Sequence, residues 1–252
     1  MTGTTTEDGF LGGRLRLRQP ARGYRSGVEP VFLAAAVDAQ PGERVLELGC
    51  GVGVALFCLG ARVPGLDLTG VERDPSAAAL ARRNADENGL TARIVNCDAL
   101  DLRQPVRGES FDHVIANPPW FRVGDGPAAA EPARDGGRRM PEDVGLWVRA
   151  AARRARPGGR ITLILPVAGV PSALAAAGGI GAMTLRPFAA RAGRLAGTVI
   201  LSGCKGARSP FILLPTVVVH SSARHEGDGE DFAPEVRAVL RDGAAWSDLL
   251  DP

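Results

Sequence analysis

Apolar runs of five or six residues alternate with helical patterns between residues 44 and 165. The apolar runs predict buried strands over residues 44–48, 66–71, 92–96, 111–116 and 160–165. Helical patterns fill intervals between them at residues 54–62, 75–88 and 142–156. Strands that alternate with helices form right-handed βαβ units, in which the strands are parallel. The central part of the chain therefore predicts an α/β fold around a mostly parallel sheet.

The chain before residue 44 has a different pattern. Residues 1–9 are polar and acidic, and we predict a disordered tail there. Arginine and leucine then alternate, which predicts a strand with Arg14, Arg16 and Arg18 on one face. A loop rich in turn residues follows, and Pro30 begins a helical run over residues 31–37. We therefore predict one domain over residues 10–252, with an N-terminal extension over residues 10–40.

The last third of the chain changes from alternating elements to consecutive strands. A helix at residues 171–177 and a strand at 183–187 precede two further β runs, at 197–202 and 211–220. Because no helix separates these runs, we predict that they form an antiparallel hairpin that completes the sheet. A short helix at 234–242 ends the pattern. Residues 121–141 lack periodicity, and we interpret them as a long substrate loop.

Composition and charge exclude several classes of protein. With 252 residues, of which 45% are apolar and 23% charged, the chain is typical of a soluble globular domain. No apolar stretch approaches the roughly 20 residues that span a bilayer, and the polar start is no secretory signal. The four cysteines form no Cys-x-x-Cys pair and have no zinc-type spacing with the histidines. We therefore predict reduced cysteines, a cytoplasmic location and no metal.

A glycine-rich segment, Gly49-Cys50-Gly51-Val52-Gly53, connects the first predicted strand of the sheet to the next helix. Glycines at such a turn let a ligand approach the backbone near a helix N-terminus. Glu72 ends the next strand, 19 residues after Gly53, which is close to the spacing of about 20 expected for a carboxylate that binds ribose hydroxyls. The alternative is a tight structural turn beside a solvated glutamate.

Glu47 narrows the choice of ligand. The segment lacks the last glycine of a dinucleotide fingerprint and the Gly-Lys-Ser/Thr of a P-loop. Glu47 would repel a pyrophosphate but would suit a cation. S-adenosylmethionine (SAM) carries an ammonium, a sulfonium and a ribose, so it suits Glu47 and Glu72 together. Asp98, directly after the third strand, is then a candidate acceptor for the adenine amino group, or else a turn aspartate.

The segment Asn117-Pro118-Pro119-Trp120 ends the fourth strand and carries the candidate chemistry. Proline fixes its own φ and restricts the residue before it, so this exit loop is stiff. The Asn117 side-chain oxygen and the Pro118 carbonyl can accept both hydrogens of an aromatic amine and present its nitrogen to a methyl donor. Trp120 can stack on a base that has left its own stack. The alternative is a rigid turn that ends in a core tryptophan.

Arginine supplies nearly all the positive charge, since Lys205 is the only lysine. Arg14, Arg16 and Arg18, together with Arg138 and Arg139 of the predicted substrate loop, are candidate phosphate contacts. An arginine-lined strand face is equally typical of a solvated surface. The net charge of +2 does not decide between the two interpretations.

These motifs resemble those of the class I SAM-dependent methyltransferases that act on planar amino groups. The resemblance rests on the segment from Glu47 to Gly53, on Glu72 and Asp98, and on Asn117-Pro-Pro-Trp120. Other segments resemble those of the bacterial methyltransferases that modify N6 of adenine 37 in a valine tRNA. They are Gln19-Pro, Gly23-Tyr-Arg-Ser-Gly27 and Pro30 near the start, and Phe232-Ala-Pro-Glu-Val-Arg237 near the end. The similarity extends from about residue 10 to residue 240.

The resemblance implies a Rossmann-like seven-stranded sheet with an antiparallel last strand, SAM as methyl donor and tRNA as substrate. It also implies cofactor contacts through Arg73, Ala99, Asn117, Tyr24 and Glu29, in addition to the residues derived above. The chain departs from the family in having Trp120 where tyrosine or phenylalanine is usual, and Glu29 where aspartate is usual.

Three functions stay open at this point. The first is methylation of the exocyclic amine of a tRNA adenine, at anticodon-loop position 37. The second is methylation of a guanine amine in rRNA or of a glutamine amide in a protein. The third is a non-catalytic module that binds SAM or RNA. The sequence does not choose between a monomer and a homodimer.

Overall fold

The computed structural model describes residues 4–22, 25–104, 106–119, 143–222 and 231–249. An antiparallel hairpin opens the chain, with strands β1 (Thr5–Phe10) and β2 (Leu15–Pro20). The alternation predicted for β2 is confirmed, since Leu15 and Leu17 are buried and Arg16 is exposed. The predicted disordered tail is wrong for residues 5–9, because these polar residues form a strand whose backbone pairs with β2.

The main sheet has nine strands in the described residues. The seven long strands are β3 (Arg44–Leu48), β4 (Asp67–Glu72), β5 (Ala92–Asn96), β6 (Phe111–Ala116), β7 (Ala155–Pro166), β8 (Ile180–Ala189) and β9 (Ala196–Lys205). Two short strands, β10 (Ile212–Leu213) and β11 (Val217–Val218), both pair with β8. The strand order is β10-β8-β9-β7-β6-β3-β4-β5. Among the long strands, only β9 runs opposite to the others, and it pairs antiparallel with both β7 and β8. This arrangement confirms the mostly parallel α/β fold.

The predicted hairpin between residues 197–202 and 211–220 is wrong. β9 forms its hairpin with β8, so that Leu201 lies opposite Leu185. Residues 211–220 supply only β10 and β11, and both are parallel to β8. Pro215 lies between these two short strands, and a proline has no N–H to donate to a continuous ladder.

Helices cover both faces of the sheet and give two buried apolar clusters. The α-helices in the described ranges are α1 (Glu29–Ala35), α2 (Val54–Arg62), α3 (Pro75–Glu87), α4 (Val144–Arg154), α5 (Val170–Ala175), α6 (Pro234–Arg237) and α7 (Trp246–Leu249). The predicted bounds of α2 are confirmed. The Asp74 carboxylate begins α3 by accepting the Ser76 N–H at 2.8 Å, and Pro75 occupies the first turn. One face of the sheet buries α1, α2 and α3, and the other buries α4 and α5.

Candidate active site

The carboxyl ends of β3, β4, β5 and β6 meet at one edge of the sheet, which we call the carboxyl edge. Pairing register aligns them: Leu48 lies opposite both Val71 and Ala116, and Glu72 lies opposite Asn96. The residues that directly follow these strands are therefore neighbours. The structure thus brings together the predicted glycine segment, Glu72, Asp98 and Asn117 at this edge.

The glycine loop, residues 49–53, has a shape that only glycine adopts readily. Gly49, Gly51 and Gly53 have φ values of 69°, 54° and 93°. A Cβ on Gly49 would lie 2.9 Å from the Trp147 ring, and one on Gly53 would lie 2.1 Å from the Phe57 ring. A Cβ on Gly51 would meet nothing within 4 Å. The loop is therefore packed against aromatic rings at both ends and open at its centre, as a ligand cradle requires.

Glu72 holds the glycine loop from the end of β4. Its Oε2 accepts the Gly51 N–H at 2.9 Å, and its Oε1 accepts the Asp74 N–H at 2.8 Å. A carboxylate oxygen has further acceptor capacity beyond one hydrogen bond. The half-buried Glu72 can therefore shape the loop and still accept two ligand hydroxyls, which fits the ribose of SAM.

Glu47 lies beneath the same loop and is only 3% exposed. Its Oε2 accepts the Leu56 N–H in the first turns of α2 at 2.9 Å. Burial raises the pKa of Glu47 well above its usual range; the Leu56 N–H opposes this shift, and the charge of Glu72 adds to it. The partner that the structure shows is thus α2, and the contact between Glu47 and a cationic cofactor stays a prediction.

Asp98 lies beyond β5 and is exposed. Its Oδ1 accepts the Leu100 N–H at 2.8 Å, as the turn interpretation expects. Within the described residues the other carboxylate oxygen has no hydrogen-bond partner, so it is available to an amino group. Ala99 is buried beside it, and the exposed Arg73 begins the neighbouring loop. The Cys50 N–H donates to the Val71 carbonyl at 2.9 Å and so anchors the glycine loop to β4.

Asn117 directly follows β6 and is half-buried, while Pro118 is buried and Pro119 half-buried. Among the described residues, none forms a hydrogen bond with the Asn117 side-chain amide. Because Ala116 pairs with Leu48, Asn117 lies beside the glycine loop. Its side-chain oxygen accepts no hydrogen bond from the described residues. Trp120 and the predicted substrate loop, residues 121–141, lie outside the described residues.

The predicted residues of the N-terminal extension have partners within the protein. Arg14 donates to the Asp242 carbonyl at 2.6 Å, Arg16 pairs with Glu7 at 3.1 Å, and Arg18 pairs with Glu87 at 2.9 Å. A phosphate would have to compete with these partners, and the RNA contacts stay predictions. Glu29 begins α1, and its Oε2 would lie 2.7 Å from a Cβ on residue 27. Tyr24, Arg138 and Arg139 lie outside the described residues.

Sequence reasoning did not identify Trp147 and Asn84 as residues that contact the glycine loop. Trp147 of α4 packs on Gly49, and Asn84 of α3 donates to the Val52 carbonyl at 3.0 Å. Asn84 is fully buried. Asparagine is a poor helix former, so two asparagines four residues apart, at 84 and 88, were an available signal of a special role.

The described residues contain no group of three or more His, Cys, Asp or Glu that could bind a metal ion. No helix in those ranges has the length and apolarity to cross a membrane. The cysteines are free thiols, and Cys50, Cys58 and Cys97 are buried.

The family model of the methyltransferase small domain matches residues 30–165. The tRNA1(Val) (adenine(37)-N6)-methyltransferase of Haemophilus influenzae is 27% identical over 156 residues, which are 61% of this chain and 66% of that protein. The release factor glutamine methyltransferase of Geobacter sulfurreducens is 30% identical over 151 residues, 57% of this chain and 52% of that protein. The chain thus spans less than two thirds of either relative. A crystal structure of a predicted O-methyltransferase from Agrobacterium tumefaciens is similar at a TM-score of 0.68 and 25% identity, covering 86% of this chain and 98% of that one.

Proposed function

We propose that this chain, which belongs to the methyltransferase small domain family, is a SAM-dependent N-methyltransferase that methylates the exocyclic amine of an adenine in tRNA, at anticodon-loop position 37. One observation carries the proposal: Asn117 and Pro118 follow β6 directly beside the glycine loop, since Ala116 pairs with Leu48. The similarity to the Haemophilus influenzae enzyme supports adenine in tRNA as the acceptor.

The carboxyl edge suits SAM in its donor groups. The open centre of the glycine loop at Gly51 leaves room for a ligand against the backbone. Glu72 would accept the ribose hydroxyls, and Asp98 with Ala99 would border the adenine. When bound, SAM supplies an electrophilic methyl group. The residues that would hold SAM lie beside Asn117, since Ala116 pairs with Leu48 at the start of the glycine loop.

Asn117 and Pro118 bind and orient the acceptor. The Asn117 Oδ1 and the Pro118 carbonyl accept the two amine hydrogens, which favours a pyramidal nitrogen with an available lone pair. Pro118 and Pro119 keep these acceptors fixed, so little reorganisation is needed during the reaction. The rate gain then comes from positioning rather than from a strong base. Trp120 stacks on the base, as an unpaired anticodon-loop nucleotide allows.

The turn between β8 and β9 is a further RNA contact in this proposal. Because β8 is parallel to β7, the turn lies at the carboxyl edge, two to three strands from β6, or roughly 10–15 Å. Arg194 in this turn is exposed, with no side-chain partner among the described residues, and Leu195 is 95% exposed. A guanidinium and an apolar side chain at this distance suit the phosphate and base of a flanking nucleotide.

Methyl transfer from labelled SAM tests the proposal. Purified protein is incubated separately with total tRNA, rRNA and a release factor, and labelled products are digested and identified. We expect label as N6-methyladenine in tRNA, and an initial rate of labelling lower by about 10²-fold or more with the Asn117→Ala variant. Absence of label from tRNA would overturn the proposed substrate.

A glutamine amide in a protein is the second candidate acceptor, because the Geobacter sulfurreducens relative is named for that reaction. An amide nitrogen is planar and carries two hydrogens, so the same acceptors can bind it. Label in the release factor alone would favour this candidate.

We also propose that the reaction takes place in the cytoplasm, where the free cysteines stay reduced.

A further inference from the structure

Two asparagines, Asn84 of α3 and Asn88 directly after the end of this helix, join the N-terminal hairpin to the rest of the protein. The Asn88 amide accepts the Arg16 N–H at 3.0 Å and donates to the Arg16 carbonyl at 2.9 Å. The Asn84 amide does the same with Arg18, at 2.8 and 3.0 Å. Residues two apart on a strand are about 6.7 Å apart, and residues four apart on a helix rise about 6.0 Å. The spacings match, so the two amides take the place of a neighbouring strand along the second edge of β2.

Asn84 makes one contact that Asn88 does not make. Its Nδ2 also donates to the Val52 carbonyl at 3.0 Å, within the glycine loop. A primary amide has two donor hydrogens and one acceptor oxygen, and Asn84 uses all of them. The second donation of Asn88 goes instead to the Asn84 carbonyl of α3, at 2.8 Å. One buried amide thus forms hydrogen bonds with both the N-terminal hairpin and the glycine loop.

The Val52 peptide lies between two glycines that need left-handed backbone angles. Gly51 and Gly53 can rotate easily, because glycine has few steric limits. Phe57 restrains Gly53, and the Glu72 carboxylate holds the Gly51 N–H. The carbonyl between them is held by Asn84. Loss of this bond would leave a buried acceptor unpaired and release the peptide to rotate.

We propose that Asn84 is a positioning residue for SAM, and that it couples cofactor binding to docking of the N-terminal hairpin. Because such coupling is reciprocal, SAM binding also tightens the hairpin on α3. The inference concerns the cofactor site, so it holds whichever amine accepts the methyl group.

Two matched variants test the proposal, Asn84→Asp and Asn88→Asp. Each keeps the size of the side chain and an acceptor for β2 but replaces the donating NH2 with oxygen. We expect both to lower the melting temperature of the cofactor-free protein. Only Asn84→Asp should weaken SAM binding in calorimetry, by about tenfold or more, whereas Asn88→Asp should stay within about twofold. Equal losses in both variants, or unchanged affinity in Asn84→Asp, would overturn the proposal.

Amide hydrogen exchange on the wild-type protein provides a second test if Asn84→Asp does not fold. The Arg18 N–H reports directly on Asn84, since it donates to the Asn84 oxygen. Saturating S-adenosylhomocysteine should slow exchange of this N–H by about fivefold or more and affect the Arg16 N–H less. An unchanged Arg18 exchange rate would contradict the coupling. Neither measurement uses RNA, so failure of the proposed tRNA substrate would leave both tests intact.

Discussion

The two edges of the parallel strands use their polar side chains in different ways. At the amino edge, acids and bases pair with one another: Glu109 binds both Arg44 and Arg93, and Asp112 binds Arg156 and the Arg44 N–H. At the carboxyl edge, the carboxylates of Glu72 and Asp98 accept hydrogen bonds only from backbone N–H groups among the described residues, and the Asn117 side chain forms no hydrogen bond with these residues.

This difference indicates that the amino edge contributes to stability, whereas the carboxyl edge offers hydrogen-bond acceptors to a ligand. A charge that is neutralised by a side chain of the same protein contributes to the fold and offers little to a ligand. An oxygen that accepts one backbone N–H keeps a lone pair for an incoming hydroxyl or amine. We therefore expect substitutions at the amino edge to lower stability and those at the carboxyl edge to lower activity.

The largest expected effect is that of Asn117→Ala at the carboxyl edge. Removal of one of the two proposed amine acceptors should lower kcat by about 10²–10³-fold, as for other preorganised hydrogen-bonding groups. The melting temperature should change by no more than about 2 °C, because the lost amide has no partner in the described residues. Initial rates with labelled SAM and thermal scans measure the two quantities. Retention of full activity would refute the role of Asn117.

Asp112→Ala at the amino edge should give the opposite result. The Arg44 N–H loses its acceptor, so we expect a loss of about 1–3 kcal/mol in the free energy of unfolding by urea, with kcat within about twofold. Burial acts to raise the pKa of Asp112. The hydrogen bonds from the Arg44 N–H and from Arg156 act in the opposite direction and together are stronger, so the pKa of Asp112 lies below its usual value. The stability that Asp112 contributes is therefore present above its unfolded pKa of about 3.9 and is lost as pH falls. The difference between variant and wild type should narrow towards pH 3; a constant difference would contradict this account.

Glu47→Gln examines the buried carboxyl group beneath the glycine loop. A raised pKa means that the stability associated with Glu47 is fully present below about pH 4.3 and is lost as pH rises through the folded pKa. Glutamine can still accept the Leu56 N–H without a charge. The variant should gain stability relative to wild type between pH 5 and pH 8, on the order of 1 kcal/mol.

A relative loss of stability over that range would contradict the assignment of Glu47 as a buried, desolvated acid. Titration with SAM adds a separate result. Weaker binding by Glu47→Gln would support the predicted contact with the cationic cofactor, and unchanged binding would assign Glu47 to α2 alone.

The smallest expected effect is that of Arg194→Ala in the β8–β9 turn. We expect KM for tRNA to rise about two- to fivefold and the slope of log affinity against log salt to fall by about one, since one phosphate contact is lost. Arg16→Ala is the matched control, because Arg16 already pairs with Glu7. A larger effect for Arg16 than for Arg194 would restore the N-terminal strand as the main RNA contact.

Local signals in the sequence predicted the parallel sheet and most of the carboxyl edge. The glycine loop, Glu72 and Asp98 each follow an apolar run directly, so strand ends in sequence give neighbours in space. β1 was not predicted, because Thr5, Thr6 and Glu7 lack the apolar alternation that identifies a half-buried strand. It is a strand because β2 offers it a backbone partner.

Two other features depend on pairing between distant segments. Residues 211–220 look like one continuous strand, but their register against β8 is interrupted around Pro215. The role of Asn84 depends on Arg18 and Val52, which are 66 and 32 residues away. No local pattern shows which backbone groups such an amide will bind.

The asparagine contacts to β2 also set an order of events during synthesis. Arg16 and Arg18 leave the ribosome 72 and 66 residues before the asparagines that bind them. At about 5–20 residues per second, the second edge of β2 stays open for roughly 3–14 s. An unpaired strand edge is a template for other chains. The exposed charged residues of the hairpin, Glu7, Arg14 and Arg16, would then have a further use, since charged side chains disfavour pairing of this edge with another chain until α3 has emerged.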